Sequence, residues 1–166
     1  MTPNINEELE MAIKKGQKTQ AEKLLKEGAV VKNYWTLDYL VTHRDNPKFL
    51  NMLESNGVNL CLNGEVLLFK SALTKKIKNF LYLLEKTEID SNCVYMSFIN
   101  MVASNKKDLQ SIETFLSPIC SKMSLEMYEK GISKLGFKLQ ESDQAYLFSL
   151  FLRSRPKIYD RKVFSI

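Results

Sequence analysis

The chain has 166 residues, 45% of them hydrophobic and 26% charged, the balance of one folded domain and not of a disordered chain. Three cysteines (Cys61, Cys93 and Cys120) stand far apart beside a single histidine, which excludes the common zinc spacings and a disulfide framework and leaves reduced, half-buried thiols. The net charge of +5 is unevenly placed: the stretch RSRPKIYDRKVFSI holds five basic groups against Asp160, and the remainder is nearly neutral, without the charge excess of a basic nucleic-acid-binding body.

In chain order, the start MTPNINEELEM is polar and acidic where a secretory signal would be basic and then apolar, so no targeting segment is expected. The longest apolar runs, FLYLL and YLFSLFL, fall short of the ~20 residues that span a bilayer. A soluble, cytoplasmic protein is the expectation. The stretch AIKKGQKTQAEKLLKEGAVV then sets a template. Ala12-Ile13 precede a turn at Gly16, Leu24-Leu25 follow on a short helix, and Gly28-Ala29 close it. Ala21, Leu24 and Leu25 form one apolar face, with Lys18, Glu22, Lys23 and Lys26 outward. Gly28 supplies the left-handed residue that ends a helix.

The template slides along the chain. Asp45, Leu53 and Gly57-Val58 repeat it, then Ser71-Ala72, Lys75 and Leu83-Leu84, then Ala103-Ser104, Lys107 and Phe115-Leu116. The turn positions 16, 45, 75 and 107 are 29, 30 and 32 residues apart. Such short helices are marginal alone and must lean on neighbours. The reading is an all-α chain of helix–turn–helix repeats near 7–33, 36–62, 66–92 and 98–120. Beyond Pro118 the pattern loosens. Ser124 is placed to cap a helix over LEMYEKGISKL that ends at Gly136, and Ser142 to cap DQAYLFSLFLRS. This pair, within 121–152, caps the single domain 1–152. Pro156 stops it, and the basic tail 153–166 packs back, hangs free or docks.

The segment LEMAIKKGQKTQAEKLLKEGAVV resembles an ankyrin repeat, with Leu9, Met11, Ala12, Gly16, Leu24, Leu25, Gly28, Ala29 and Val31 on matching positions. Thr36 matches the Thr that opens the ankyrin signature, followed by Leu40, Leu53 and Gly57, while Leu37 and Tyr39 stand where its Pro and His would be. The resemblance covers roughly residues 7–120 and fades toward its end. It implies a helical solenoid of four to five ankyrin-like pairs with shortened fingers, acting as a protein–protein interaction module. The surface used would be the concave face of fingers and first helices: Lys32, Asn33, Tyr34 and Trp35 on the first finger, Asn63 and Glu65 on the second, Asn92 and Tyr95 on the third.

Trp35 itself has two readings, a binding anchor or a ring packed beneath its finger. His43, in THRDN, is a capping or solvated residue unless Asp38 or Asp45 pairs with it as a general base. No GxSxG, HExxH, P-loop or GxGxxG pattern occurs in the sequence, so neither catalysis nor a cofactor or metal is expected. Lysines at successive turns (Lys14, Lys15, Lys75, Lys76, Lys78, Lys106, Lys107), with Arg153, Arg155 and Arg161 of the tail, give either a solvated edge or contacts to an acidic partner. The alternative function is a basic nucleic-acid-binding protein using that lysine edge and tail. Twenty lysines against four arginines, degenerate repeats and no second domain point to a small inhibitor or adaptor, a viral or pathogen-borne blocker of a host factor.

Overall fold

One backbone device recurs at the helix ends of the first half. In the computed structural model, which describes residues 4–86 and 91–155, helix α1 (Ile5–Lys15) is capped at its start by Asn4, carries Glu7 and Glu8 in its first turn and Lys14 and Lys15 in its last. These charges complement the helix dipole. It ends at Gly16 with φ +72°, where the amides of Gly16 and Gln17 reach the carbonyls of Ile13 and Ala12 at 3.0 and 2.8 Å. Helix α2 (Lys18–Lys26) closes in the same way through Gly28, with Ala29 N–H donating to Leu24 O at 2.9 Å. Helix α3 spans Trp35–His43; helix α4 (Pro47–Ser55) ends through Gly57 and a Val58-to-Leu53 bond of 3.0 Å. Helix α5 (Gly64–Leu73) ends through Lys75, which bonds Ala72 O at 3.0 Å while Lys76 bonds Ser71 O at 2.7 Å. Each is a Schellman closure, and each needs a left-handed residue. Helix α6 (Ile77–Leu84) follows.

These helices belong to the first of two compact units, residues 1–93 and 94–166. Within it α1 packs on α2 and α3, α3 on α5, α2 on α4, α4 on α6, and α5 on α6, so odd and even helices form two rows. Leu9, Ala12 and Ile13 of α1, Leu37, Leu40 and Val41 of α3, and Leu67, Leu68 and Ala72 of α5 are buried, an i, i+3, i+4 stripe in the first two. Leu24 is buried but Leu25 is only half-buried, so the expected leucine pair contributes one full core residue in the first repeat.

Side chains tie the turn ends together. Arg44 Nη2 donates to Lys15 O at 2.8 Å. Asp45 accepts the amides of Asn79 at 2.8 Å and Lys78 at 3.3 Å, capping α6, whose own N-cap residue Lys76 makes no side-chain bond. Asn79, 1% exposed, donates to Arg44 O at 2.5 Å. The turn at Gly16 is thus tied to the one at Asp45, and that one to the turn before α6.

In the second unit, helix α7 (Ser91–Asn105) buries Phe98, Met101 and Val102, whereas Ala103 and Ser104 are exposed. The buried triple has the spacing of Leu9, Ala12 and Ile13, the expected pair Ala103-Ser104 is not buried, and Lys107 does not adopt a left-handed conformation. Helix α8 (Glu113–Ser121) contains Pro118, which therefore interrupts no helix. Helix α9 (Leu125–Leu135) is capped by Ser124, whose side chain accepts from Met127 N at 3.1 Å, as expected. Helix α10 (Glu141–Ser154) begins ahead of Ser142, with Gln140 at its N-cap and no side-chain cap bond, so Ser142 is not its cap. Tyr128 of α9 stacks on Phe151 of α10 with centroids 4.4 Å apart, and α10 packs on α8. No strand occurs among the described residues, and none of their helices is long and apolar enough to cross a membrane.

Candidate functional site

The first finger is held rigidly before α3 begins. Val30 N–H donates to Asn6 Oδ1 at 2.8 Å and Asn33 N–H to Glu10 Oε1 at 2.9 Å, so two α1 side chains pin it. Asn33 Oδ1 in turn accepts from Trp35 N at 3.0 Å, satisfying one of the free amides of the first turn of α3. Thr36, Leu37, Leu40 and Val41 face inward, which leaves Trp35, Tyr39 and His43 on the opposite side, one turn apart. Trp35 is 73% exposed; it does not pack beneath the finger. Tyr39 and His43 stack at 3.9 Å and 13°. His43 Nδ1 lies 2.9 Å from Tyr39 O and 2.9 Å from Thr42 Oγ1, while Asp45 serves the amides of α6. The histidine is thus a local capping residue, without a carboxylate among its hydrogen-bond partners in the described residues.

The four predicted finger residues, Lys32, Asn33, Tyr34 and Trp35, line one cleft of about 530 Å³, together with Asp38 of α3 and Val66 and Lys70 of α5. Burial pushes the Asp38 carboxyl above its usual range, and the charge of Lys70 opposes that rise. The cleft therefore has the apolar side chains of Trp35 and Val66 and one half-buried carboxylate, Asp38, in its lining. Beside it, Met11 and Tyr39 are exposed on α1 and α3. Exposed apolar side chains that cluster on one face, an aromatic among them, are the composition of a binding surface. The sequence reading missed Asp38, Val66 and Lys70 as lining. The signal was available in part, since Trp35 and Tyr39 fall opposite the buried stripe of their helix.

The other expected contacts are dispersed. Asn63 closes a 3₁₀ turn over Leu60–Asn63 and Glu65 lies in the first turn of α5; their side chains lie outside the described residues. Within that turn Leu60 is buried and Leu62 exposed. Asn92 and Tyr95 lie within α7 and not on a finger; Asn92 is exposed, and Tyr95 is half-buried with Lys130 Nζ 5.6 Å from its ring centroid. Lys75, Lys78, Lys106 and Lys107 are exposed and Lys76 half-buried. Arg153 pairs with Glu113 at 3.6 Å and Arg155 lies over Phe151 at 5.1 Å, so both are engaged within the second unit. Arg161 and the tail from residue 156 lie outside the described residues.

A second cleft, about 490 Å³, opens on the even row between α2, α4 and Tyr82 of α6. Its neighbour is a closed network: Tyr82 Oη donates to Glu54 at 2.8 Å, and Lys86 pairs with the same carboxylate. Burial alone would raise Glu54, but the hydrogen bonds from Lys86 and Tyr82 and the Lys86 charge together hold it below its usual range. These groups satisfy one another.

No protein-family model, curated protein or solved structure matched the chain.

Proposed function

We propose that the chain is a degenerate ankyrin-like repeat protein that acts by binding another protein and not by turning over a substrate. Three features support the family reading: turns spaced 29 and 30 residues apart, one cap geometry repeated through Gly16, Gly28, Gly57 and Lys75, and odd and even helices packed in separate rows. The observation that carries the binding reading is Trp35, the largest hydrophobic surface an L-residue offers, held outward at 73% exposure on a finger pinned by Asn6 and Glu10. An anchor ordered before binding loses little entropy on association. The role is that of a small inhibitor or adaptor in the cytoplasm, a blocker of a host factor if the source is viral or pathogenic.

The test is capture from the native cell's lysate by wild type and by Trp35→Ala, each with an unchanged far-UV circular dichroism spectrum. Truncation of a hot-spot Trp costs about 2 kcal/mol or more, about thirtyfold in affinity, so the wild-type partner should disappear from the variant's eluate. A partner held equally by both proteins contradicts the proposal.

One observation favours a nucleic-acid reading as second choice. Lys15 and Arg44 are bonded at the turn end of the first unit, and Asp45 there is committed to backbone amides. That reading predicts a slope of log affinity on log salt near 0.9 per phosphate neutralised.

A further inference from the structure

We infer that the partner enters the Trp35 cleft with a short extended acidic segment, its apolar side chain seated between Trp35 and Val66 and its carboxylates running along α3 toward the turn end. This rests on the binding reading above and names the chemistry of the partner.

Two lysines, Lys32 and Lys70, line the cleft with Asn33, Tyr34 and Trp35, side chains that all carry N–H or O–H donors. Asn33 has its Oδ1 occupied by the Trp35 amide, which leaves its NH₂ to donate. The lining holds one carboxylate, Asp38, against the two lysines. A basic side chain entering here meets two cations and one acid; a carboxylate meets the opposite balance. At the turn end beyond α3 cations again predominate. Past the Tyr39–His43 stack, Arg44 uses one of its N–H groups on Lys15 O, Lys14, Lys15 and Lys75 are exposed, and Asp45 is occupied by the amides of Lys78 and Asn79.

Geometry fixes the spacing. Trp35 to His43 is eight helical steps, about 12 Å, which an extended chain covers in about four residues. Alternate residues of such a chain share a face, so the complementary pattern is an apolar residue followed by acids two and four positions later. A single-stranded nucleic acid would also find cations here and could stack a base on Trp35, but the aliphatic Val66 offers a base no second ring and the chain outside its tail carries no basic excess. The protein segment is therefore the better fit.

Trp35 is the single tryptophan of the chain, so its emission reports on the cleft directly. The full chain is titrated with three probes: the peptide Gly-Phe-Ser-Glu-Ser-Glu-Gly, capped at both ends; the same peptide with lysines for glutamates; and a twelve-nucleotide oligothymidylate. The acidic peptide should change Trp35 emission saturably and bind more weakly as salt rises, and Lys70→Glu should weaken it at least tenfold. Lys75→Glu, at an exposed turn, should weaken it severalfold and serves if Lys70→Glu fails to fold. The inference is overturned if the lysine peptide binds as well, if the oligonucleotide binds more tightly than the acidic peptide, if the charge reversals have no effect, or if no probe alters the emission. Loss of the lysate partner in Trp35→Ala together with any of these results would leave the binding reading standing and remove this inference alone; a partner indifferent to Trp35 would remove both.

Discussion

Lys75→Gly should make the protein more stable although it deletes a side chain. Among the described residues Lys75 is the one non-glycine with positive φ, +57°, and it occupies the position that Gly16, Gly28 and Gly57 fill at the other closures. A left-handed conformation costs an ordinary L-residue about 1–2 kcal/mol, because Cβ crowds the backbone carbonyl. Glycine avoids that clash but gains freedom in the unfolded chain, which returns about 0.4–1 kcal/mol. The net expectation is about 0.5–1 kcal/mol in favour of the variant. With a urea m-value of about 1.5 kcal/mol per M for a unit of this size, the midpoint should rise by about 0.3–0.7 M. Urea unfolding followed by Trp35 emission reports the first unit. Lys75→Ala is the control, since it removes the ammonium group but keeps the strained backbone, and it should leave the midpoint near wild type. An unchanged or lowered midpoint in Lys75→Gly, or an equal rise in Lys75→Ala, would refute the reasoning.

Other consequences follow from the ties between repeats and from burial. Asn79→Ala strands the Arg44 carbonyl and loosens the docked turns, and should lower stability by about 1–3 kcal/mol, read as a reduced urea midpoint; an unchanged midpoint would mean the tie carries nothing. Glu54, held below its usual range by Lys86 and Tyr82, stabilises the fold above its unfolded pKa, and that contribution drains as pH falls through the lower folded value. The melting-temperature gap between wild type and Glu54→Gln should therefore be present near neutrality and close on acidification below about pH 4. Cys120 is fully buried and its thiol is pushed up to about 12 by that burial, whereas Cys61 and Cys93 are half-buried and not in disulfides. A chromogenic disulfide reagent should label two thiols in the native protein and the third only with unfolding.

How far the sequence could be read depended on how local the cause was. Gly16, Gly28 and Gly57 marked true left-handed helix ends because the requirement for φ > 0 is a property of one residue and its carbonyl partners. Ser124 was legible for the same reason: a cap needs only its own first turn. Ser142 was not, since Glu141 and Asp143 also favour a helix start and the helix begins two residues further back. Ala103 and Ser104 were misread as a buried pair because α7 runs fifteen residues without a glycine to mark its end, and only burial reveals Phe98, Met101 and Val102 as its inward stripe. The expectation for residues 32–35 came from the ankyrin resemblance, which implies a finger between the first two helix pairs. Val66 and Lys70 were not expected, because they meet Trp35 only through the packing of α5 on α3. Nor did the sequence reveal that Asp45 caps α6, since the two are more than thirty residues apart and meet only in the folded unit.

The central claim is that the outward face of α3 grips another protein. Site-specific photo-crosslinking in the native cell tests it most directly, with a benzophenone amino acid at position 39 on that face and, as reference, at the exposed position 23 on α2. The account predicts a discrete protein adduct from position 39 that vanishes in Trp35→Ala and is absent from position 23. Adducts of equal strength from both positions, or nucleic acid as the crosslinked species, would contradict it.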